Sequence, residues 1–401
     1  MYDIGLPEFE ILKREINKDN DYIYTVVPKA AMKWCPECGS ANIVKHKKHN
    51  RMIRDLSEYE HRVGIIIQGH RYQCKECQSY FGEDFDAVDK SERLTKRLKT
   101  MIQKECFEKT FKVIAEQYGI SQPTVKRVFD EYIEKISADY KAYAPQVLGI
   151  DEVHLHSQYC GVFVDVLGQR VIEMTEDRNK VTVKEFLAAL PDNQKIECVT
   201  MDMWRPYKDA VRDVLGNVPI VIDKFHIVKE LNKTLEDIRR TLRKDMEKGN
   251  RVSLKNMRFL LLTDNDNLSP RQSNKLKLLL KEYPQFDVPY QLKETFRDIY
   301  LYCTTREEAE LAYNEWIKTC HDSNCTAYDS FIDMVENWRT EIFNYFDYRY
   351  TNAQTESLNN VIRETDRAGR GYTFEVLRAK ILFRGSIAKK RQVGTKCRLY
   401  I

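Results

Sequence analysis

The chain has 401 residues, of which 42% are apolar and 31% are charged. At roughly 150 residues per domain, this length predicts two to four domains, and the apolar fraction excludes a wholly disordered chain. No apolar run approaches the ~20 residues of a membrane-spanning helix, and the first residues lack the pattern of a secretory signal. We therefore expect a cytosolic protein without a membrane partner.

The charge is small in total but uneven along the chain. With 65 basic and 61 acidic residues, the net charge is +4. Residues 363–401, however, hold eleven Lys or Arg against three Asp or Glu, and residues 45–49 read Lys-His-Lys-Lys-His. Local basic surfaces on a near-neutral chain predict docking to a polyanion. The alternative is a set of solvated surface lysines.

Residues 34–85 contain short β-like runs that alternate with polar turns, whereas the first thirty residues give no clear pattern. Four cysteines of this region form two C-x₂-C pairs, Cys35 with Cys38 and Cys74 with Cys77, 35 residues apart. A zinc ion takes four such ligands in a tetrahedron, and each pair supplies two from one tight turn. The pattern predicts a zinc ribbon, with buried thiols as the alternative. Four thiolates leave no open position, so we expect a structural zinc.

From residue 91 to 143 the apolar residues recur with a helical period, and residues 110–133 resemble a helix-turn-helix. Gly119 suits the left-handed end of a first helix, and Ser121 can cap a second helix whose first turn holds Pro123. The second helix would be the recognition helix that enters the major groove. Its predicted outer face carries the candidate DNA-binding residues Gln122, Thr124, Lys126 and Arg127. The alternative is an ordinary helical hairpin.

From residue 147 the pattern changes to alternating strands and helices. We predict strands at 147–155, 159–167, 170–175, 196–203 and 219–223, and helices at 181–190 and 205–215. After His226 the chain is helical and highly charged to about residue 346. A last helix begins near Asn352 and includes Glu356.

Two of the predicted strands carry a carboxylate, Asp151 on the first and Asp202 at the end of the fourth. Buried strands rarely carry an acid unless it is paired or binds a metal. Two acids on neighbouring strands would repel each other, and a divalent cation would remove that repulsion. Glu356 lies on the polar face of the last helix. Taken singly, each acid is equally explained as a capping or surface group.

The order of these features, and the phrases around three of the acids, resemble bacterial insertion-sequence transposases of the ISL3 type. The phrases are Gly-Ile-Asp-Glu at 149–152, Asp-Lys-Phe-His at 223–226 and Asn-Ala-Gln-Thr-Glu-Ser-Leu-Asn-Asn at 352–360. The resemblance extends from about Cys35 to about Arg384. It implies a DDE-superfamily enzyme with an RNase H-like catalytic core, working in the bacterial cytoplasm at the nucleoid.

By this resemblance Asp151, Asp202 and Glu356 form the catalytic triad and bind Mg²⁺ or Mn²⁺. His226 corresponds to the histidine of an Asp-x-x-His signature and is expected to assist near the scissile phosphate, with a core-facing histidine as the alternative. Two further acids near the site match no triad position and are not included, Glu152 and Asp165.

The predicted fold class is a multidomain α+β protein whose RNase H-like core is interrupted by an all-α insertion. We expect the zinc ribbon with an N-terminal extension at 1–88 and the helix-turn-helix domain at 89–144. The core would occupy 145–226 and 347–401, the latter with a basic C-terminal tail, and the insertion would occupy 227–346.

The implied function is binding of the terminal inverted repeats of an insertion sequence, followed by metal-dependent DNA strand cleavage and strand transfer. Basic groups after the last acid would hold the phosphate backbone. These are Arg363, Arg367 and Arg370, with a solvated helix face as the alternative. Synapsis of two DNA ends favours a homodimer or a higher oligomer.

Two other functions remain open at this point. A domesticated DNA-binding regulator would keep the zinc ribbon and the helix-turn-helix but would not need all three acids. An RNase H-like nuclease would cut DNA without joining ends. The joint presence of the acids favours an active enzyme, and two DNA-reading modules favour a transposase because the choice of a site needs sequence readout.

Overall fold

The computed structural model describes residues 3–244, 254 and 257–389, and for 385–389 the backbone alone. Its contacts divide the chain into two compact units. One comprises Met1–Lys141 and Asp366–Ile401, and the other comprises Ala142–Thr365. The segment 347–401, expected as one part of the catalytic core, is therefore divided at Asp366. The basic tail predicted at the C-terminus lies, from residue 390 onward, outside the described residues.

The first unit contains a five-stranded sheet. Its strands are β1 (Phe9–Ile16), β2 (Tyr22–Pro28), β3 (Ile43–Glu58), β4 (His61–Cys74) and β5 (Tyr80–Gly82). They lie in the order β1-β2-β4-β3, and β5 pairs with β4. Alternate residues of β4 enter the core of the unit, namely Val63, Ile65 and Ile67. The first thirty residues, which show no clear pattern in the sequence, thus supply two strands of this sheet.

Strands β3 and β4 form one long antiparallel hairpin, where the sequence predicts short runs. Near its open end, residues 44–50 of β3 are all exposed, so the usual alternation of buried and exposed positions is lost there. β3 is also the last strand in the order of the sheet. We call residues 44–50 the basic arm, because it carries Lys45, His46, Lys47, Lys48 and His49.

Helices α1 (Lys96–Glu105), α2 (Phe111–Tyr118) and α3 (Gln122–Ala138) follow the sheet. Gly119 ends α2 in the left-handed conformation with φ of 62°. Ser121 Oγ then accepts a hydrogen bond from the backbone N–H of Thr124 and caps α3. The turn residues predicted from the sequence therefore have the predicted roles, because both depend only on local backbone chemistry.

The C-terminal helix (Phe374–Lys389) packs into the core formed by α1, α2 and α3. It buries Lys380, whose side chain is 3% exposed. The Lys380 ammonium donates hydrogen bonds to the backbone carbonyls of Cys106 and Lys109 at the end of α1. Burial disfavours its charge and lowers the pKa of Lys380 to about 8.

The second unit contains another five-stranded sheet. Its strands are β6 (Val147–Leu155), β7 (Gln158–Asp165), β8 (Arg170–Thr175), β9 (Cys198–Met201) and β10 (Ile220–Ile222). Their order is β10-β9-β6-β7-β8. β6, β7 and β8 form an antiparallel meander, whereas β9 pairs parallel with β6 and β10 parallel with β9. The carboxyl ends of β6, β9 and β10 therefore point in the same direction.

Helix α4 (Lys180–Ala189) precedes β9, and α5 (Arg205–Leu215) follows it. Among the described residues, the chain from 224 to 348 contains helices and no strand. These are α6 (Lys224–Lys244), α7 (Arg258–Leu262), α8 (Pro270–Glu282), α9 (Asp287–Tyr302), α10 (Arg306–Asp322), α11 (Asp329–Asn337) and α12 (Arg339–Tyr348). α12 packs beside β10, where Asn344 Nδ2 donates to the carbonyl of Ile220 at 2.8 Å. Helix α13 (Ala353–Gly369) comes next.

We expect Lys380→Met to remove a contribution to the free energy of unfolding that depends on pH. Between pH 8 and ~10.5 the unfolded chain holds a proton on this lysine that the folded chain has released, so the wild type gains stability as pH rises. Urea unfolding should show the wild type gaining about 2 kcal/mol relative to the variant between pH 7.5 and 9.5. Lys112→Met, at an exposed position, should show no such change with pH. If the free energies of unfolding of the wild type and Lys380→Met differ by the same amount at every pH, the charge of Lys380 is not buried.

Candidate functional site

The four paired cysteines of the first unit lie together. Cys35 Sγ is 3.6 Å from Cys77 Sγ, and Cys38 Sγ is 3.6 Å from Cys74 Sγ, with all four sulfurs within 4.8 Å of one another. Tetrahedral zinc at ~2.3 Å from each sulfur requires sulfur–sulfur distances of about 3.8 Å. The thiols therefore fit a zinc ion, as the spacing of the two pairs predicts.

The Ser79 hydroxyl is placed to favour the charged form of two of the four thiols. The Ser79 hydroxyl lies 3.0 Å from Cys77 Sγ and 3.4 Å from Cys35 Sγ. Its hydrogen bond lowers the pKa of Cys77. Gly39 and Gln78, which follow the second cysteine of each pair, both have positive φ, so the two turns have the same shape. Hydrogen-bonded thiolates of this kind are the ligands that a structural zinc requires.

The register of the second sheet brings three aspartates to one level. Asp151, Asp202 and Asp223 each follow a residue of a different parallel strand. The residues directly before the three aspartates are Ile150, Met201 and Ile222. Across the sheet, Met201 pairs with both Ile150 and Ile222. Because β6, β9 and β10 are adjacent and parallel, the three carboxylates meet at one edge. Ligand sites of parallel strands form at this carboxyl edge.

The carboxylates of Asp151, Glu152 and Asp202 each place an oxygen within 4.8 Å of the other two. Burial, and then the charge of Asp202, raise the pKa of Asp151 to about 7. Among the described residues, no hydrogen-bond partner reaches the buried atoms Glu152 Oε2 and Asp202 Oδ1. Crowded carboxylates with unpartnered oxygens fit a hard divalent cation, which prefers such ligands.

Glu152 is a member of this cluster that the sequence analysis leaves out. Neighbouring residues of a strand point to opposite faces, so Glu152 would be expected to point away from Asp151. Its Oε1 instead accepts a hydrogen bond from Arg178 at 2.5 Å, and its side chain lines the same cleft as Asp151. Only its place directly after Asp151, on the same strand, could have marked it. Asp165 is not a member of the cluster, and its carboxylate accepts hydrogen bonds from the Tyr143 hydroxyl and the Gly168 backbone N–H.

His226 lies in the first turn of α6 and faces the same acids. Its Nε2 is 3.0 Å from Asp202 Oδ2. Burial disfavours the charged ring, but the hydrogen bond and the charge of Asp202 outweigh it and raise the pKa of His226. The side chain is thus placed at the site and not in the apolar core.

Helix α13 presents a buried polar face to the sheet. Asn359 Nδ2 donates to Asp151 Oδ2 at 2.9 Å, and the Thr200 hydroxyl lies 3.3 Å from Asn352 Oδ1. The approach is close at Gly149, where a Cβ would stand 2.7 Å from Thr355 Oγ1. The next residue on this helix, Glu356, is exposed and lines the cleft, but it stands apart from the three grouped carboxylates.

An open cleft of about 440 Å³ joins these residues, and acidic side chains outnumber basic ones in its lining. The acidic lining residues are Asp151, Glu152, Asp202, Asp223, Glu230 and Glu356. Two basic side chains, Lys229 and Arg363, lie among them. The cleft thus combines several carboxylates with few cations of its own, which favours occupation by metal ions.

The predicted DNA-binding residues differ in their surroundings. Gln122, Lys126 and Arg127 are exposed on α3, and Thr124 is half-buried. Lys126 pairs with Asp130 at 2.5 Å, while Arg127 pairs with Glu92 at 2.8 Å and Glu131 at 2.6 Å. Arg127 is therefore neutralised by two carboxylates, of which the remote Glu92 is not revealed by the sequence pattern.

The three arginines after Glu356 are likewise not equivalent. Arg363 belongs to the second unit, lines the cleft and donates to Asn360 Oδ1 at 2.9 Å. Arg367 and Arg370 belong to the first unit and are exposed.

None of the helices in residues 3–244 and 257–389 combines the length and the apolar character that a bilayer span needs.

Three family models match the chain in the order of these features. A zinc-finger of transposase IS204/IS1001/IS1096/IS1165 matches residues 33–77, and a helix-turn-helix domain of transposase family ISL3 matches residues 83–133. The third model, described as a transposase, matches residues 148–381. The last match includes every residue of the acidic cleft.

Individual relatives agree with these matches. The chain is 24% identical over 352 residues to the transposase for insertion sequence element IS1001 of Bordetella parapertussis, with 86% of each chain covered. It is 24% identical over 252 residues to the transposase for insertion sequence element IS1557 of Mycobacterium tuberculosis, with 56% of each chain covered. Since the transposase match spans more than half of the chain, and the zinc-finger and helix-turn-helix matches precede it, the protein belongs to the ISL3 family of DNA-binding transposases.

Proposed function

We propose that the acidic cleft is the active site at which this transposase cuts and joins DNA, with Asp151, Asp202 and Glu356 as the catalytic acids. The observation that carries the proposal is the shared level of three aspartates on adjacent parallel strands. Helix α13 supports it, because its buried polar face fixes the strand edge and brings Glu356 to the same cleft. The family match makes DNA the substrate.

The proposed fold of this unit is an RNase H-like core. In support, three antiparallel strands are followed by two parallel ones in the order β10-β9-β6-β7-β8. The helices between 224 and 348 would be the all-α insertion that precedes the final acid. We also propose the division of the chain into ribbon, helix-turn-helix, core and insertion, with the boundaries given by the sequence except that the segment after Thr365 belongs with the first unit.

The carboxylates of Asp151, Asp202 and Glu356 would hold Mg²⁺ or Mn²⁺, which when bound would activate the attacking water in cleavage and stabilise the leaving 3′-oxygen. Asn359 fixes the orientation of the Asp151 carboxylate through its 2.9 Å hydrogen bond. His226 occupies one oxygen of Asp202 and can exchange a proton beside the cleft. Arg363 and Lys229 supply positive charge for phosphate groups. In strand transfer, a freed 3′-hydroxyl would take the place of water.

DNA recognition would be shared within the first unit. Helix α3 would read the major groove with Gln122, Thr124 and Lys126, while Arg127 would first have to leave Glu92 and Glu131. The basic arm would bind further phosphates, because a two-stranded ribbon also fits a groove. Arg367 and Arg370 would bind the backbone. Synapsis would involve a homodimer or a higher oligomer, in the bacterial cytoplasm at the nucleoid.

Incubation of the protein with its own element ends and Mg²⁺ tests the proposal. We expect cut DNA together with joined product. Cutting without joining would indicate a nuclease, and binding without cutting would indicate a regulator. The activity should disappear when a chelator removes the divalent cation.

One tightly bound zinc per chain is expected at Cys35, Cys38, Cys74 and Cys77. Metal analysis of protein purified under reducing conditions measures it. Cys74→Ser should lose the zinc and weaken binding of element ends, because the hairpin loses its cross-link at the open end. Cys198→Ser, at a buried thiol of the other unit, is the matched control and should keep the zinc. Absence of zinc from the wild type would refute the site.

The salt dependence of DNA binding should identify the groups that bind phosphates. Replacing Lys45, Lys47 and Lys48 with Gln should reduce the slope of log K against log salt by about 0.9 for each phosphate that the arm no longer neutralises. Lys126→Gln should reduce the slope by at most about 0.9, and Arg127→Gln by less, because one carboxylate pairs with Lys126 whereas two pair with Arg127.

A matched triple variant controls for the overall change of charge. It replaces three exposed lysines of the same unit outside the arm, Lys13, Lys18 and Lys29. The slope of this variant should stay near that of the wild type. An equal reduction in both triple variants would refute a specific role for the basic arm.

The three acids are tested by Asp151→Asn, Asp202→Asn and Glu356→Gln. Each should abolish cleavage while sparing folding and DNA binding, because an amide keeps the size but removes the charge that holds a cation. Two substitutions together should cost little more than one, since the acids act as a unit. Glu364→Gln, on an exposed position of the same helix, should cut normally. A Glu356→Gln protein with wild-type activity would place the third acid elsewhere.

A further inference from the structure

Three large aromatic side chains stand exposed around the acidic cleft. Tyr159 is 46% exposed, Trp204 is 38% exposed and Phe225 is 51% exposed, and all three line the cleft. Aromatic rings of this size bury much area when they have a partner, and exposed apolar groups grouped at a cleft mark a binding surface. The acidic chemistry proposed above makes no use of them.

Two of these rings stand at neighbouring strand ends. Trp204 lies just beyond β9 and begins α5, and its backbone N–H donates to the carbonyl of Asp202 at 2.7 Å. Phe225 lies just beyond β10, in the first turn of α6 and next to His226. Since β9 and β10 are adjacent and parallel, both rings belong to the edge that carries the aspartates.

The rings are held in place although they are exposed. The Arg178 guanidinium lies 4.4 Å from the centroid of the Trp204 ring and 4.1 Å from that of Tyr159. Arg178 is itself fixed by its hydrogen bond to Glu152. Phe225 meets the ring of His226 edge to face, at 5.6 Å and 89°. Rings that are ordered before binding lose little freedom when a ligand stacks on them.

The charge of the cleft indicates what kind of ligand these rings take. Six acidic side chains line it against two basic ones, so its own charges repel DNA phosphates. Lys229 and Arg363 offset part of this repulsion, and further attraction must come from bound cations and from uncharged groups. A nucleobase is uncharged and planar, and any of the four bases can stack on an aromatic ring.

We propose that Trp204 and Phe225 form a stacking surface for an unpaired base beside the phosphate that is cut. Inside a duplex both faces of a base are covered by its neighbours, so stacking on these rings requires the base to leave the helix. This inference rests on the proposed function, since it assumes that the scissile phosphate lies at the acids. It adds that the DNA is locally opened there and that the opening is held by the protein.

Cleavage of two versions of the element end tests the stacking surface. One duplex is fully paired, and the other carries mismatches at the base pairs that flank the cut. The double variant Trp204→Ala, Phe225→Ala should cut the paired end about 5- to 100-fold more slowly than the wild type. A mismatch lowers the cost of unpairing, so the loss should be several-fold smaller on the mismatched end.

Further variants separate stacking from support of the fold. Phe225→Tyr keeps a ring and should cut like the wild type, whereas Phe225→Leu keeps apolar volume without a ring and should share the defect. Phe259→Ala removes an exposed ring outside the cleft and should change nothing. An equal loss on paired and mismatched ends, or normal cutting by the double variant, would overturn the inference. So would a changed oligomeric state of the double variant, which would assign these rings to contact with a second copy.

A second readout does not depend on cutting. A forked duplex with 2-aminopurine as the unpaired base should lose fluorescence on binding in Ca²⁺, because the base stacks on a ring, and the double variant should not quench it. Quenching by a wild type that cuts neither duplex in Mg²⁺ would refute the proposed function and leave the stacking surface standing. Equal quenching by the wild type and the double variant would refute the stacking surface.

Discussion

The site depends on one constraint, the convergence of like charges at the edge of three parallel strands. Asp151, Asp202 and Asp223 are brought to one level by strand pairing, and an isolated pair of buried carboxylates would be costly. The raised pKa of Asp151 reflects this cost. The unit tolerates it because the acids end at an open cleft, where Asn359 and His226 donate to them or share a proton. A sheet that concentrates carboxylates in this way fits a divalent cation.

The second constraint is the close packing of α13 on β6. Gly149 leaves room for Thr355, and the buried face of the helix is polar because it meets Asp151 and Thr200 rather than an apolar core. The same spacing that buries every third or fourth residue leaves Glu356 exposed toward the cleft. The site and its helix therefore form one arrangement, in which the hydrogen bond from Asn359 to Asp151 links a strand carboxylate to the helix that carries Glu356.

Local signals were sufficient wherever the chemistry is local. The bounds of β6 and α5, the turn at Gly119 and the cap at Ser121 follow from apolar period and from residues that suit one backbone conformation. Sequence patterns did not predict the structure where it depends on contacts between segments that are remote in the chain. β1 and β2 have no strong pattern of their own and become strands by pairing with the hairpin. The ion pair between Arg127 and Glu92 was equally hidden, since the two residues lie 35 positions apart in the chain.

The sequence by itself determined the cysteine spacing and the helix-turn-helix, and it predicted Asp151 and Asp202 as neighbours, because each is carried by residue types in a recognisable pattern. The tertiary structure alone decided that Glu152 joins the cluster, since strand alternation predicts the opposite face. It also decided that Lys380 and the C-terminal helix belong to the core of α1, α2 and α3. The physical reason is the same in both cases: which side chains meet depends on packing between segments that are remote in the chain, and no local pattern encodes that packing.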